Sequence, residues 1–420
     1  MKKQKRNLRR TTALILSMVM ILSLIQGVGS MQTVHAEEPE KVFQSLSLAG
    51  SNGDETRIGT VTYKNQETEK ITFTKWGNTS ALPTEEGSYF LSDNVSIEST
   101  WNVPTGNVNL CLNGYGISMA KDYERVISVG ENANLTIYDN NNNQLSHYVT
   151  LNNWRGTSVS DNGTEETVTD GSGVVKVEGG YITGGKAYSY PGISHGGGIN
   201  VEKGSLTLNG GCIIGNSVVY PQGLSGSGGG GGGGVYVSDG TLVMNDGSIC
   251  YNCTNNTLKT PGGGVKLTTN STFTMNGGKI CNNNSRCETY GGGGIDVQNS
   301  TFVMNDGIIG NNTSRSSGGG ISSRGDVTMN GGEICSNSAN YGGGVKITYG
   351  TFTMNGGSIN DNTVSDLGGG IETMKTGRFV LNDGIISCNT AGRDGGGASF
   401  RSNEGVLPVI AGGQITDNVA

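Results

Sequence analysis

Two lysine–acid pairs are the residues of this 420-residue sequence whose types could support acid–base chemistry. Lys266 and Asp296 stand at the same place in successive repeats, and Lys346 and Glu372 do so again. Polysaccharide lyases and hydrolases use bases and acids in this way, but they group several of them on one strand face. Here the neighbouring positions carry Thr, Ser and Val. We therefore interpret both pairs as outward-facing cross-strand ion pairs.

Three further motifs have a chemical meaning that their surroundings do not support. Segment Gly291–Asp296 (GGGGID) fits the start of a calcium-binding nonapeptide, but that motif works in tandem and here occurs once. His147 and His195 have no partnered Ser or Cys motif. The CxxC at Cys250–Cys253 has no second CxxC that would predict a zinc site. We expect no catalytic residue, no cofactor and no metal.

One tripeptide is a candidate for recognition by a partner. Arg324, Gly325 and Asp326 spell RGD between Ile321 and Val327. We predict a turn there, with Gly325 at positive φ. An exposed turn of this sequence is a candidate binding turn for a host receptor.

A repeat of about 25 residues positions all of these side chains. Segments such as Thr272–Gly278 (TFTMNGG) place Asn directly after Met or Leu, an apolar residue two positions before that Met or Leu, and Ile five positions after it. A Gly triplet and an aliphatic residue open each repeat. A column of identical Asn can bond its amides up a stack, so we predict a structural ladder. Its members are Asn209, Asn245, Asn276, Asn305, Asn330, Asn355 and Asn382.

The repeat predicts an all-β fold. Apolar residues alternate with period two in runs of three or four residues that Gly and Asn interrupt, which is typical of short strands and tight turns. One such coil cannot bury its apolar face, whereas stacked coils can. We predict a right-handed parallel β-helix with three strands per coil, about nine clear coils, and irregular coils before them.

The chain divides into four predicted segments. Residues 1–36 form a signal peptide with a basic start, an apolar stretch at Thr11–Ile25 and a small-residue cleavage site ending at Ala36. Residues 37–87 form an N-terminal cap and 88–170 irregular early coils. Residues 171–420 form the regular coils, and because the sequence ends inside a repeat we expect the array to continue beyond Ala420.

Charge and loop lengths restrict the partners. Without the six basic residues of the signal peptide, 22 Lys and Arg face 35 Asp and Glu, a net charge of −13. This balance disfavours nucleic acid and anionic lipid, and no later stretch could span a membrane. Insertions gather before the Gly triplets, in Ser217–Gly231, Cys253–Pro261 and Asn284–Gly291. We expect these loops to form a patch along one edge of the stack, where repeat proteins often bind ligands.

Cysteine spacing tests the register. Cys250 and Cys281 each stand six residues after the Met, on successive coils. Adjacent strands lie about 4.8 Å apart, so the two Cα atoms should be close. Parallel Cβ atoms at that spacing exceed the roughly 3.8 Å typical of a disulfide. We therefore predict neighbouring free thiols.

The repeat resembles that of the polymorphic outer-membrane proteins, whose two signatures are Gly-Gly-Ala-aliphatic and Phe-x-x-Asn. GGGV and GGGI correspond to the first signature, with Gly in place of Ala. Phe273–Asn276, Phe302–Asn305, Phe352–Asn355 and Phe379–Asn382 correspond to the second. The resemblance covers about residues 171–418 and implies an exported β-helix, many of which are adhesins.

The earlier part of the chain is similar to another group of surface proteins. VNLCLNGYGISM at Val108–Met119 and ENANLTIYDN at Glu131–Asn140 resemble large pectin-lyase-like right-handed β-helices on the surface of Gram-positive gut bacteria. This resemblance also implies display outside the cell.

These observations favour an extracellular protein that is either secreted or held at the cell surface or the cell wall. We expect a non-catalytic adhesin or display stalk that binds a glycan or a host or matrix protein. The alternative is a polysaccharide-active lyase or glycoside hydrolase of the pectin-lyase-like fold. An outward cluster of three or more acids on neighbouring coils would favour that alternative.

We predict that protein recovered outside the cell begins at or near Glu37, because the preceding residues have the pattern of a cleaved signal peptide. N-terminal sequencing of secreted protein measures this directly. An intact Met1 would contradict the prediction and would indicate a membrane anchor instead.

Overall fold

The chain folds into stacked coils of short parallel strands. A computed structural model describes residues 42–51, 53–140, 145–152, 157–188, 195–219, 230–255, 261–288, 291–403 and 405–420. The predicted signal peptide and the first residues of the predicted cap lie outside these ranges. Within them the structure is all-β, and the strands of each coil pair in parallel with those of the next coil. The predicted fold class, a parallel β-helix, is confirmed.

Three faces of the stack are strand ladders that follow one another along each coil. The first face begins after the Gly triplet, and its strands are Trp101–Asn102, Ile127–Val129, Ile199–Glu202, Val235–Ser238, Val265–Thr268, the start of Ile295–Met304, the start of Ile321–Met329, Val345–Ile347, Ile371–Lys375 and Ala398–Ser402.

The second face carries the Phe-x-Met pattern. Its strands are Gly87–Leu91, Gly106–Cys111, Ala133–Tyr138, the starts of Ser205–Ile214 and Thr241–Cys250, Thr272–Met275, the ends of Ile295–Met304 and Ile321–Met329, Thr351–Met354, Arg378–Leu381 and Val409–Ile410.

The third face carries the repeated Ile. Its strands are Val95–Ile97, Gly116–Met119, Tyr181–Thr183, the ends of Ser205–Ile214 and Thr241–Cys250, Lys279–Cys281, Ile308–Gly310, Glu333–Cys335, Ser358–Asn360, Ile385–Ser387 and Gln414–Thr416.

A fourth parallel sheet, which the sequence did not predict, lies at the insertion corner between the third face and the next Gly triplet. Its strands are Lys186–Tyr188, Ser217–Val219, Cys253–Asn255, Asn284–Ser285, Thr313–Ser314, Ser338–Tyr341, Thr363–Leu367 and Thr390–Ala391. The predicted loop patch therefore begins as ordered strands. Its remaining parts at 220–229, 256–260 and 289–290 lie outside the described residues.

The interior is a continuous apolar core that alternate residues of the three faces supply. Val265 and Leu267 of one coil, Phe273 and Met275, and then Ile280 all point into this core and are almost fully buried. Phe273 stacks on Phe302 of the next coil with ring centroids 4.8 Å apart. The period-two pattern of the sequence therefore corresponds directly to the inward side of each strand.

A buried asparagine column joins the coils along the axis. Each of these Asn residues stands eight positions after the Met or Leu of its coil, or after Ile410 in the last one, and the column is Asn216, Asn252, Asn283, Asn312, Asn337, Asn362, Asn389 and Asn418. Asn337 is 1% exposed. Its Nδ2 donates to Ile309 C=O at 2.9 Å and to Asn362 Oδ1 at 3.0 Å. Its Oδ1 accepts from the backbone N–H and the Nδ2 of Asn312. The same set of bonds recurs through the column.

The backbone at this corner needs a left-handed residue directly before each buried Asn. Asn282, Asn311, Ser336 and Asp361 all have φ between 54° and 56° there. The Gly triplet that follows is equally constrained. A Cβ on Gly320, the third Gly of one triplet, would lie 2.7 Å from Gly344 C=O and 3.0 Å from the Asn337 amide. This explains why the third position is Gly rather than Ala.

The asparagine column that the sequence singled out also makes a hydrogen-bonded ladder, on the outside of the stack. Each side chain from Asn245 to Asn382 donates its Nδ2 to the Oδ1 of the preceding member, at 2.7–2.8 Å. Asn209 and Asn276 are buried, whereas Asn330 and Asn355 are exposed. The ladder from Asn216 to Asn418 is buried in all of its middle coils, and it was not predicted from the sequence.

An antiparallel sheet within the predicted cap explains this difference in burial. Its strands are Phe43–Ala49, Thr56–Tyr63 and Thr68–Trp76, and the last pairs in parallel with Gly87–Leu91. Lys64 in one of its turns donates to Asn276 C=O at 3.3 Å and lies 3.7 Å from the Asp306 carboxylate. This part of the predicted cap therefore lies along the side of the stack, against the outer asparagine ladder.

A second antiparallel sheet interrupts one early coil. We call it the side sheet, and its strands are Ser146–Leu151, Thr157–Ser160, Glu166–Thr169 and Ser172–Glu178. The prediction of irregular coils up to residue 170 and regular coils from residue 171 is wrong for this stretch. The chain leaves the stack after Tyr138 and re-enters it at Tyr181. The alternating residues of the side sheet pack on the outer surface of the third face, against Cys212 and Ile214.

The cysteine prediction is half right. The Cα atoms of Cys250 and Cys281 are 4.8 Å apart and the two residues are in register, as predicted. The expectation of free thiols is wrong, because these residues form a disulfide. The prediction assumed undistorted strands, but both cysteines are the last residues of their strands, directly before left-handed residues. A Cα separation of this size lies within the range that a disulfide accepts.

We predict that Asn337→Ala lowers the free energy of unfolding by about 2–4 kcal/mol, because it leaves Asn312 N–H and Ile309 C=O buried without their partner. Asn330→Ala serves as the matched control. It should cost about 1 kcal/mol or less, because water can replace the partner at an exposed position. Urea unfolding of both variants measures the difference. Equal losses would mean that burial does not distinguish the two ladders.

Candidate functional site

The predicted cross-strand register of both lysine–acid pairs is confirmed, as is the ion pair of Lys346 with Glu372, but most of this outward column of the first face is buried, which the sequence did not predict. Its members, in register from coil to coil, are Asn200, Tyr236, Lys266, Asp296, Ser322, Lys346, Glu372 and Ser399. Asp296 is 1% exposed and Glu372 is 0% exposed. Residues that precede the Gly triplets cover this column. His195 stacks on Tyr236 with centroids 3.9 Å apart, and the Tyr341 ring lies 4.6 Å from the Lys346 ammonium.

The first charged pair is held inside this covered column. Asp296 accepts a hydrogen bond from Gln298 Nε2 at 2.6 Å. Burial raises the pKa of Asp296, while the positive charges of Lys266 and Arg324 oppose that change. Burial lowers the pKa of Lys266, which the charge of Asp296 opposes. Each side chain therefore depends on the other to keep its charge.

The second charged pair has the same character and closer contacts. Lys346 Nζ lies 3.1 Å from Glu372 Oε2 and 3.1 Å from Ser317 Oγ. Arg401 approaches the other carboxylate oxygen of Glu372 at 3.5 Å. Burial raises the pKa of Glu372 and lowers that of Lys346. Along the column the two acids are separated by Ser322 and Lys346, so acids do not occupy neighbouring coils.

The RGD tripeptide lies at a bend within the strand Ile321–Met329, where the chain passes from the first face to the second. Gly325 does not have the predicted positive φ. A Cβ on Gly325 would lie 2.2 Å from Ser300 C=O, so close packing explains the glycine. Asp326 Oδ1 accepts from Thr351 N–H at 2.8 Å. Recognition of this bend by a receptor stays a prediction.

Both described histidines, His147 and His195, are held in contacts with other protein groups. His147 is buried at the base of the side sheet, where Nε2 lies 2.7 Å from Gly114 C=O and Nδ1 lies 2.8 Å from Asp161. Burial, with the nearby charges of Lys266 and Arg125, lowers the pKa of His195 to about 3. That imidazole is neutral at physiological pH and packs on Tyr236.

A polar cleft, which we call the corner groove, opens where the side sheet leaves the stack. Asp139 fixes this departure point, because its carboxylate accepts from the N–H groups of Gly114, Asn140 and Gly180 at 2.6–3.0 Å. These bonds join Asn140, where the chain leaves the stack, to Gly180, just before it returns. The groove has a volume of about 740 Å³. Its floor is the row of Asn-Gly-Gly and Asn-Asp-Gly corners of four coils, at Gly210, Gly247, Gly277 and Gly307.

The walls of the corner groove carry both signs of charge. Lys176 and Glu178 of the side sheet pair with each other on one wall. Asp246, Lys279 and Asp306 project from the coil corners. Tyr251 also lines the groove, and its ring packs against the apolar cluster beneath the side sheet. Glycine corners let a ligand approach the backbone, and the side chains around them offer donors and acceptors.

Comparisons of the chain with protein-family models, with curated proteins and with solved structures find no match. The resemblances to polymorphic outer-membrane protein repeats and to pectin-lyase-like surface proteins therefore stay predictions. Among the described residues, no group of three or more His, Cys, Asp and Glu could hold a metal ion. The described residues also contain no helix long and apolar enough to cross a membrane.

Sequence reasoning missed the corner groove for an identifiable reason. The groove depends on the side sheet, whose alternating strands look like further coils when only periodicity is read. One available indication was the break in repeat spacing between Tyr138 and Tyr181. The irregular coils on either side of this break pair in parallel with each other, at Gly116–Met119 and Tyr181–Thr183.

We predict that Lys346→Met lowers the free energy of unfolding by about 3–5 kcal/mol, because it leaves Glu372 buried without its closest partner. Lys346→Met combined with Glu372→Leu should return to within about 1 kcal/mol of wild type, because no uncompensated buried charge remains. Arg401, which is partly exposed, stays solvated in the double variant. Urea unfolding tests the pair, and a double variant as unstable as the single one would contradict this account.

Proposed function

We propose that this chain is an exported, non-catalytic binding protein whose β-helix holds a saccharide ligand in the corner groove. The observation that carries the proposal is the groove itself, about 740 Å³ of polar cleft above a floor of glycine corners. Saccharides need closely spaced hydrogen-bond donors and acceptors, and a floor without side chains exposes backbone to them. The balance of acidic and basic side chains in the walls favours a neutral sugar over a polyanion.

The buried charges of the first face support a non-catalytic protein. A catalytic acid or base must be within hydrogen-bond reach of its substrate. The side chains of Asp296 and Glu372 are covered and engaged with protein partners. The criterion of three acids on neighbouring coils is not met in this column.

The polysaccharide-active alternative would have to use the corner groove. Asp246 and Asp306 stand there two coils apart, so their Cα atoms are separated by about 10 Å. Asp306 is already paired with Lys64 at 3.7 Å, and its Oδ1 accepts from Gly307 N–H. A carboxylate in these contacts is suited to holding a hydroxyl group. The export of the chain and its display at the cell surface belong to the same proposal and rest on the predicted signal peptide.

The test measures binding of the secreted chain to an array of glycans and matrix proteins. The variants used are sequences that already occur at the same corner in other coils. Asp246→Gly and Asp306→Gly convert Asn-Asp-Gly corners into the Asn-Gly-Gly corner that other coils use. Together they should weaken saccharide binding at least tenfold, because two charged acceptors are lost. Asp383→Gly makes the same exchange outside the groove, with the same local bond to the next N–H, and should bind as wild type.

Two results would count against the proposal. Equal binding by the Asp246→Gly, Asp306→Gly variant and by wild type would remove the groove as the ligand site. Release of reducing sugar ends from a bound polysaccharide, lost in the same variant, would favour the enzyme instead.

A further inference from the structure

A pair of contacting tyrosines, one exposed and one partly buried, stands at the first strand of the fourth sheet. Tyr123 lies in the turn between Gly116–Met119 and Ile127–Val129, and Tyr188 ends the strand Lys186–Tyr188. The two rings meet edge to face with centroids 4.3 Å apart. Tyr123 is 56% exposed, which is far more than a tyrosine needs in order to reach water with its hydroxyl group.

The backbone of Tyr123 is strained. Its φ is 72°, in the left-handed region that bulky side chains rarely adopt. Two contacts of the next residue, Glu124, hold this part of the turn in place. Glu124 C=O accepts from Lys186 N–H at 2.8 Å, and the Glu124 carboxylate accepts from Thr100 Oγ1 at 2.8 Å. Gly or Asn would fit the same backbone at lower cost, so the backbone conformation does not explain a tyrosine here.

Charged groups surround the exposed ring. Lys186 Nζ lies 5.5 Å from the centre of the Tyr123 ring and 3.2 Å from the Asp122 carboxylate. This ion pair fixes both side chains next to the tyrosines, while Asp122 keeps most of its surface in water. The exposed Tyr123 ring, with a charged donor over it and a charged acceptor paired to that donor, offers the groups that a sugar ring needs. The C–H face of such a ring packs on an aromatic ring, and its hydroxyl groups bond at the rim.

We propose that Tyr123 and Tyr188, with Asp122 and Lys186 at their rim, form a second saccharide-binding site, of the ring-stacking type. This site stands on different residues from the corner groove and does not depend on the groove being occupied. A site built on one exposed ring and its neighbour fits one or two sugar units of a longer chain. An aromatic or proline-rich peptide is the competing ligand, but the hydroxyl-matching ion pair at the rim favours the sugar.

The strained backbone allows a test in which loss of binding cannot be attributed to misfolding. The mature chain is titrated by calorimetry with β-1,4-linked hexasaccharides of glucose, xylose, mannose and N-acetylglucosamine, and with a decaproline peptide. We expect at least one saccharide to bind. Tyr123→Gly should lose at least tenfold in affinity while its melting temperature changes little, because relief of the strain at a φ of 72° offsets the lost contact with Tyr188. Tyr123→Phe should keep the affinity, because the ring is retained.

Two controls separate this site from others. The Asp246→Gly, Asp306→Gly variant should bind at the tyrosine pair as wild type does. Tyr349→Ala removes another exposed tyrosine, one bonded to Lys375, and should also bind normally. The proposal is overturned if none of the four saccharides binds the folded chain, if decaproline binds in their place, or if Tyr123→Gly binds as well as wild type.

Discussion

The buried asparagine column is the interaction on which the rest of this structure depends. Each of its side chains satisfies a backbone carbonyl of the preceding coil and two N–H groups within the column. Without it, the corner between the third face and the fourth sheet would bury unpaired backbone groups, which a folded protein cannot afford. The column therefore fixes the register of every coil on the next. It also explains two neighbouring requirements, the left-handed residue before each Asn and the glycine that packs against its amide.

Fixing one corner so firmly leaves the others free to vary. The Asn-Gly-Gly corner opens in one coil to admit the side sheet, and Asp139 closes the gap with three hydrogen bonds to backbone N–H groups. The corner before the Gly triplets admits insertions of different length. Both proposed ligand sites lie where the chain departs from the regular coil, at the corner groove and at Tyr123. A uniform scaffold with local departures can acquire binding sites without disturbing its core.

Periodicity made much of this fold predictable. Phe273, Met275 and Ile280 could be assigned to the interior from spacing alone, and the alignment placed Cys250 directly beside Cys281. Which asparagine column is buried could not be read, because both recur at fixed spacing and composition carries no information on what covers a corner. Asn330 and Asn337 look equivalent in the sequence, yet the first is exposed and the second buried. The burial of Glu372 was missed for a similar reason, since it depends on covering residues such as Tyr341 from another part of the coil.

The hydrogen bonds between coils all run along the axis of the stack, and this direction determines how the protein responds to tension. A pull on the two chain ends acts on the terminal coils first, so the coils detach from the stack one after another. A compact coil of about 25 residues then lengthens the chain by roughly 80–90 Å. The bond between Cys250 and Cys281 closes a loop of 31 residues, which withholds about 100 Å of extension. A stack built in this way lengthens gradually under tension, and the loop that the disulfide closes extends only after that bond is reduced.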